Sequence, residues 1–198
     1  MKTYIIQQKN KVLLPLYFIF LLWIIQIINS LIFNQQLSVF GIYPRTESGL
    51  FGILFAPFLH LNYQHLIGNS FMFLLLSWVI CFYDISTWIK TLIFGSIIGG
   101  FITWLIGSSG YHIGASILIF SLLGTILGIA IFHKNIFFIF ASIILISLYG
   151  VSIFYGLIPQ DGISFAGHLG GFISGLFCSK YLHSPKKIIT TSITTTNP

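Results

Sequence analysis

Carboxylates are almost missing from this chain: Glu47, Asp84 and Asp161 are its three acidic residues among 198. Their scarcity excludes chemistry that needs paired carboxylates inside a membrane. It also weakens any Ser-His-Asp arrangement. Asp161 stands seven residues before His168 and is the one carboxylate near a candidate base, so a two-member nucleophile–base pair fits better than a triad. Charge of either sign is scarce, at 6% of residues, against roughly a quarter in a soluble domain, so this chain cannot cover itself in water. Two cysteines, Cys81 and Cys178, are too few for a disulfide framework. The H-E-x-x-H pattern of metalloprotease helices is absent, and neither a metal nor a cofactor is expected. No basic stripe with interleaved aromatics lies on a polar stretch, which argues against nucleic acid as a partner.

What the chain does have is apolar length. Hydrophobic residues make up 56% of it, with a mean hydropathy of +0.97. Six segments approach the roughly 20 residues needed to span a bilayer: Val12–Phe33, Leu66–Tyr83, Trp88–Ile106, Ser116–Phe132, Ile136–Leu157 and Phe165–Leu182. Continuous apolar runs without alternation predict helices, not barrel strands. The expected architecture is an all-α, six-helix, multi-pass membrane protein. Residues 1–11 would form a cytoplasmic N-terminus, 12–183 the membrane domain, and the Thr-rich residues 184–198 a disordered cytoplasmic tail. The first span resembles a signal peptide, but it is too long and lacks an A-x-A cleavage site, so it reads as a retained anchor.

The nine cations, net +6, work as topology signals. With both termini inside, Lys2, Lys9, Lys11, Lys90, Lys134, Lys180, Lys186 and Lys187 all fall on the cytoplasmic side and Arg45 alone falls outside. The compact chain, with no transit peptide, points to a bacterial inner membrane. Between the first two spans, Gly49–His60 is apolar but interrupted by Gly52 and Pro57 and too short to cross. Such a segment lies in the interface or dips into the bilayer against other helices.

On this topology the second, fourth and sixth spans begin at the outer face, and they carry the most polar helix starts. The second opens with HLNYQHLIGN, bearing His60, His65 and Asn69. The fourth opens with Ser116, after Gly114 and Ala115, and the sixth with FAGHLGG, bearing His168. At 1.5 Å rise per residue, a group three or four positions into a helix sits only about 5 Å below its start, so these groups fall at similar depth. Each has an ordinary explanation. Ser116 can cap a helix, His65 and Asn69 can make a cross-helix hydrogen bond, and Gly167, Gly171 and Gly175 can serve packing alone. Together they supply another use. Serine needs a base, and His168 can be one. Acyl transfer develops an oxyanion, for which Asn69, His65 and the Ser116 N–H are donors. Small residues ahead of the serine, Gly114 among them, leave its hydroxyl uncrowded. A channel or transporter reading has little to rest on, since the ionisable groups cluster near the outer face instead of mid-membrane.

In this combination the residues resemble the rhomboid family of intramembrane serine proteases. HLNYQHLIGN resembles the family's H-x-x-x-x-H-x-x-x-N, GASI stands where the family has G-x-S-G, and GHLGGFISG resembles its H-x-x-G-x-x-x-G. GIYPRTESGLFGILFAPFLH is similar to its membrane-embedded first loop. The resemblance implies a six-helix rhomboid-like bundle that cleaves single-pass transmembrane proteins without a cofactor. Ser116 would be the nucleophile and His168 the base. His65, Asn69 and backbone amides would form the oxyanion hole, with Gly114, Phe120, Gly171 and His60 in support. Two departures matter: Ile117 replaces the glycine after the nucleophile, and Phe120 replaces a tyrosine that stacks on the histidine. Ile117 either crowds the contact between the fourth and sixth helices or points to lipid, and Phe120 is expected to pack on His168. Ile117 also motivates an alternative, a catalytically silent relative that binds transmembrane helices for sorting or quality control. Substrate, cleavage preference and oligomeric state leave no mark in the sequence.

Overall fold

In lipid a backbone must satisfy its own hydrogen bonds, which makes a helix of every long apolar run. The computed structural model describes residues 2–160 and 162–182. Its helices are α1 (Lys2–Leu31), α2 (Glu47–Phe55), α3 (Tyr63–Tyr83), α4 (Ile85–Phe94), α5 (Gly100–Ile106), α6 (Ser116–His133), α7 (Ile136–Gly156) and α8 (Phe165–Phe177). A π-helical turn, Gly95–Gly99, joins α4 to α5 in one rod, and a second, Cys178–Leu182, extends α8. Among the described residues there is no strand, only an isolated antiparallel bridge between Ile42 and His112. Five rods there are long and apolar enough to cross a membrane: Gln8–Leu31, Tyr63–Tyr83, Ile85–Ile106, Ser116–His133 and Ile136–Gly156. α8 with its turn, thirteen α-helical and five π-helical residues, stands where the sixth span is expected but is not among the rods of that length and apolarity.

Polar caps explain where the rods differ from the expected spans. α3 starts three residues early because Asn62 accepts a hydrogen bond from the His65 N–H at 2.8 Å. α4 starts at Ile85 because Asp84 accepts from the Thr87 N–H at 2.8 Å. Residues 2–11 contain no breaker and continue α1 instead of preceding it. The expected tail 184–198, Lys186, Lys187 and Asp161 lie outside the described residues.

α6 is the central helix: 61% of its spanning window is buried inside the protein, against 17% for α7. It contributes the fully buried Leu122, Ile126 and Ile129, which join Leu66, Phe73 and Ile80 of α3, Leu22 of α1 and Phe138 of α7. Lipid offers no hydrophobic drive between helices, so association rests on close packing of small residues. α6 and α8 meet backbone to backbone. A Cβ on Gly171 would strike the Ile117 carbonyl, and one on Gly175 the Ser121 carbonyl. Thr125 Oγ1 donates to the Gly175 carbonyl at 3.2 Å, and Ser174 Oγ to Ser121 Oγ at 3.1 Å.

The two ends of the bundle differ chemically. At one end Lys11 Nζ donates to the Phe82 carbonyl and Lys90 Nζ to the Leu182 carbonyl, both at 3.0 Å, while Lys180 lies over the Phe132 and Tyr181 rings. The other end carries the start of α6 and the first loop. There Arg45 Nη1 donates to the carbonyls of Leu105 (3.2 Å) and Gly107 (2.9 Å), and Trp104 Nε1 to that of Thr46 (2.8 Å). α2 buries Gly49, Gly52 and Ile53 against this frame and exposes Leu50, Phe51, Leu54 and Phe55. Beyond its first turn, where Glu47 and Ser48 are exposed, the outer face of this loop helix is apolar, which suits lipid and not water.

Candidate active site

The chain reaches Ser116 through a turn that only glycine makes easily. Gly114 has φ +121°, and a Cβ there would sit 2.8 Å from His65 Cε1 and 3.4 Å from Asn69 Nδ2. Two hydrogen bonds hold this turn: the Gly114 N–H donates to the Ala56 carbonyl at 2.9 Å and the Ala115 N–H to His60 Nε2 at 3.3 Å. Burial, with His65 beside it, pushes the His60 imidazole down to about 3, so its ring is neutral and can accept that bond. Ala115, not Ser116, occupies the N-cap of α6, and no side chain caps the helix. The Ser116 hydroxyl is therefore not spent on capping, the ordinary explanation for a serine at this place.

His168 lies in the first turn of α8, where its N–H donates to the Ser164 carbonyl at 3.0 Å. The residue is 9% exposed, and its ring stacks on Phe120, with centroids 4.2 Å apart and planes at 13°. Its Nδ1 is 2.7 Å from the Gly156 carbonyl oxygen. A carbonyl can only accept, so Nδ1 carries the proton and Nε2 keeps the lone pair, the tautomer a general base requires. Gly156, the last residue of α7, is a site residue that the motifs do not reveal. A Cβ there would meet Phe120 Cζ at 2.7 Å and His168 Nδ1 at 3.1 Å. In sequence it reads as an ordinary glycine at a helix end.

A cavity of about 1320 Å³ brings Ser116, His168, His65, Asn69 and Phe120 onto one wall system. Its depth is apolar, lined by Met72, Leu76, Leu123 and Leu145, while Asn62, Gln64, Ser108 and Ser109 line its polar part. Asn69 is 8% exposed, and its Nδ2 donor has no hydrogen-bond partner. An orphaned buried donor is costly unless a ligand completes it. His60 and His65 meet edge to face at 5.1 Å, and among the described residues no three His, Cys, Asp or Glu gather as a metal would require.

Ile117 neither wedges α6 from α8 nor points to lipid. It is 5% exposed, belongs to the core, and borders a small void with Ile42, Ala56 and Thr103. Gly171 closes on its carbonyl, so the helix contact is made with backbone that any residue would present.

The chain is similar to two uncharacterized mycobacterial proteins. Rv1337 of Mycobacterium tuberculosis is 34% identical over 180 residues, covering 86% of this chain and 74% of that protein. ML1171 of Mycobacterium leprae is 35% identical over 180 residues, covering 86% and 70%. No solved structure matches. The family model of the Rhomboid domain matches residues 47–185, which take in the first-loop helix, the serine turn and α8 with its histidine. On that match and this helical bundle, the chain belongs to the rhomboid family.

Proposed function

We propose that the protein is an intramembrane serine endopeptidase that cleaves single-pass transmembrane proteins with a Ser116–His168 dyad. One observation carries the reading: the Gly156 carbonyl fixes His168 in the tautomer whose Nε2 can take a proton, on the cavity that also holds an uncapped Ser116. Nε2 accepts the Ser116 proton as Oγ attacks the scissile carbonyl carbon. The resulting oxyanion takes hydrogen bonds from Asn69 Nδ2, His65 and the Ser116 N–H at the positive end of α6. Collapse breaks the C–N bond, and His168 returns its proton to the leaving amine. Water from the polar side of the cavity then hydrolyses the acyl-enzyme, with His168 again as base. The Phe120 stack holds the imidazole plane through both proton transfers.

The alternative, a silent helix-binding relative, rests on Ile117; the close approach of Gly171 to the Ile117 carbonyl supports the protease reading over it. Ser116→Ala should abolish cleavage of a single-pass reporter in membranes. A serine-reactive phosphonate should label Ser116 in the wild type and fail to do so in His168→Ala. Cleavage that survives Ser116→Ala would refute the protease reading, and an unlabelled wild type would favour the silent one.

A further inference from the structure

Ser116 and His168 each stand four residues beyond one partner of a single hydrogen bond. His112 Nδ1 lies 2.6 Å from Ser164 Oγ. The other ring nitrogen, Nε2, is 2.9 Å from the Ser108 carbonyl oxygen. That carbonyl cannot donate, so Nε2 carries the proton and Nδ1 accepts from the Ser164 hydroxyl. Ser164 is in turn the N-cap of α8: its Oγ accepts from the Gly167 N–H at 3.2 Å, and its carbonyl from the His168 N–H at 3.0 Å. On the other side, the His112 backbone exchanges two hydrogen bonds with Ile42, at 3.0 and 2.8 Å. Gly107 leaves the ring its place, since a Cβ there would come within 2.8 Å of His112 Nε2. A directed chain thus runs from the first turn of α8, through Ser164 and His112, to the loop that delivers Ser116.

We propose that the His112–Ser164 bond is a positioning clamp, which sets the start of α8, with His168, against the start of α6, with Ser116. This inference rests on the protease reading and adds two residues outside the motif set. α6 and α8 are already packed along their length through Gly171 and Gly175, but those contacts lie below the reacting groups. At the mouth, the clamp ties the N-cap of α8 to the loop that enters α6. A displacement of about 1 Å between nucleophile and base can cost about 10²-fold in rate.

The two ring nitrogens can be tested separately in the full-length protein in liposomes. Asparagine at 112 puts an acceptor oxygen where Nδ1 stands, while glutamine reaches instead to the Nε2 position. His112→Gln should slow phosphonate labelling of Ser116 and lower kcat on a single-pass reporter by at least tenfold, with KM unchanged. His112→Asn should stay within about threefold of wild type. Ser164→Gly removes the hydroxyl at a cap position that tolerates glycine, and should match His112→Gln. It carries the test alone if the glutamine variant does not accumulate. The double variant should fall no further than either single one, the mark of two groups acting through one bond. Wild-type labelling in His112→Gln or Ser164→Gly would overturn the clamp and leave the protease reading standing. Equal loss in the Asn and Gln variants would overturn it too, by assigning the effect to the ring. A wild type whose Ser116 does not label would overturn the protease reading and the clamp with it.

Discussion

Two glycines set the chemistry at the residue scale by what they lack. Gly114 holds a φ of +121° that costs a side-chain-bearing residue of order 1–3 kcal/mol, and its missing Cβ is where His65 and Asn69 close in. Gly114→Ala should therefore lower the thermal midpoint in detergent and cut phosphonate labelling of Ser116 by more than tenfold. Gly156 differs. Its φ is unexceptional, and an added methyl meets the edge of the Phe120 ring, which can tilt. Gly156→Ala should leave the midpoint nearly unchanged yet slow reporter cleavage at least tenfold, because Phe120 and His168 move together. Loss of both properties in Gly156→Ala, or of neither, would contradict this assignment. Gly114 was legible in sequence because it stands two residues before the serine. Gly156 was not, because its role depends on a carbonyl from another helix meeting a ring twelve residues further on.

At the scale of elements, the rods were legible because a bilayer demands length and apolarity and tolerates little else. The starts of α6, α7 and α8, at Ser116, Ile136 and Phe165, were legible too, but those of α3 and α4 were not, since these two begin at caps, Asn62 and Asp84, that a hydropathy pattern overlooks. The two π-helical turns also leave no pattern in the sequence. Gly95 and Gly99 occupy the first of them where α4 presses on Ser121 of α6 and on Gly171 of α8. The doubled glycine spacing of α8 did announce close packing, but not that its partner would be the backbone at Ile117 and Ser121. That distinction yields a prediction. Ile117→Gly, which restores the family residue, should not raise the Ser116 labelling rate by more than about threefold, because no clash is relieved. It should lower the thermal midpoint, since emptying a buried aliphatic site costs about 2–5 kcal/mol in lost contacts. Gly171→Val should do the opposite kind of damage, parting α6 from α8 and abolishing labelling through overpacking. A gain of tenfold or more in Ile117→Gly would show that the isoleucine restrains the site after all.

For the whole molecule, what matters is which end faces which compartment. Lys11, Lys90 and Lys180 gather at one end, and the cavity with Ser116 lies toward the other. Positive residues are retained on the cytoplasmic side, so we expect the cavity to open outward and to cut substrates near their outer ends. Ser109 is an exposed residue of the cavity wall, and Lys9 and Lys180 are exposed at the basic end. Single cysteines at these places report the orientation, because the native thiols Cys81 and Cys178 are buried. In intact cells a membrane-impermeant maleimide should modify Ser109→Cys, and should reach Lys9→Cys and Lys180→Cys only after permeabilisation. The reverse pattern would place the serine on the cytoplasmic side, and the substrates to seek would then be those exposing their helix ends there. Because the basic residues and the cavity occupy opposite ends of one bundle, a single labelling experiment fixes both the topology and the compartment that the cavity faces.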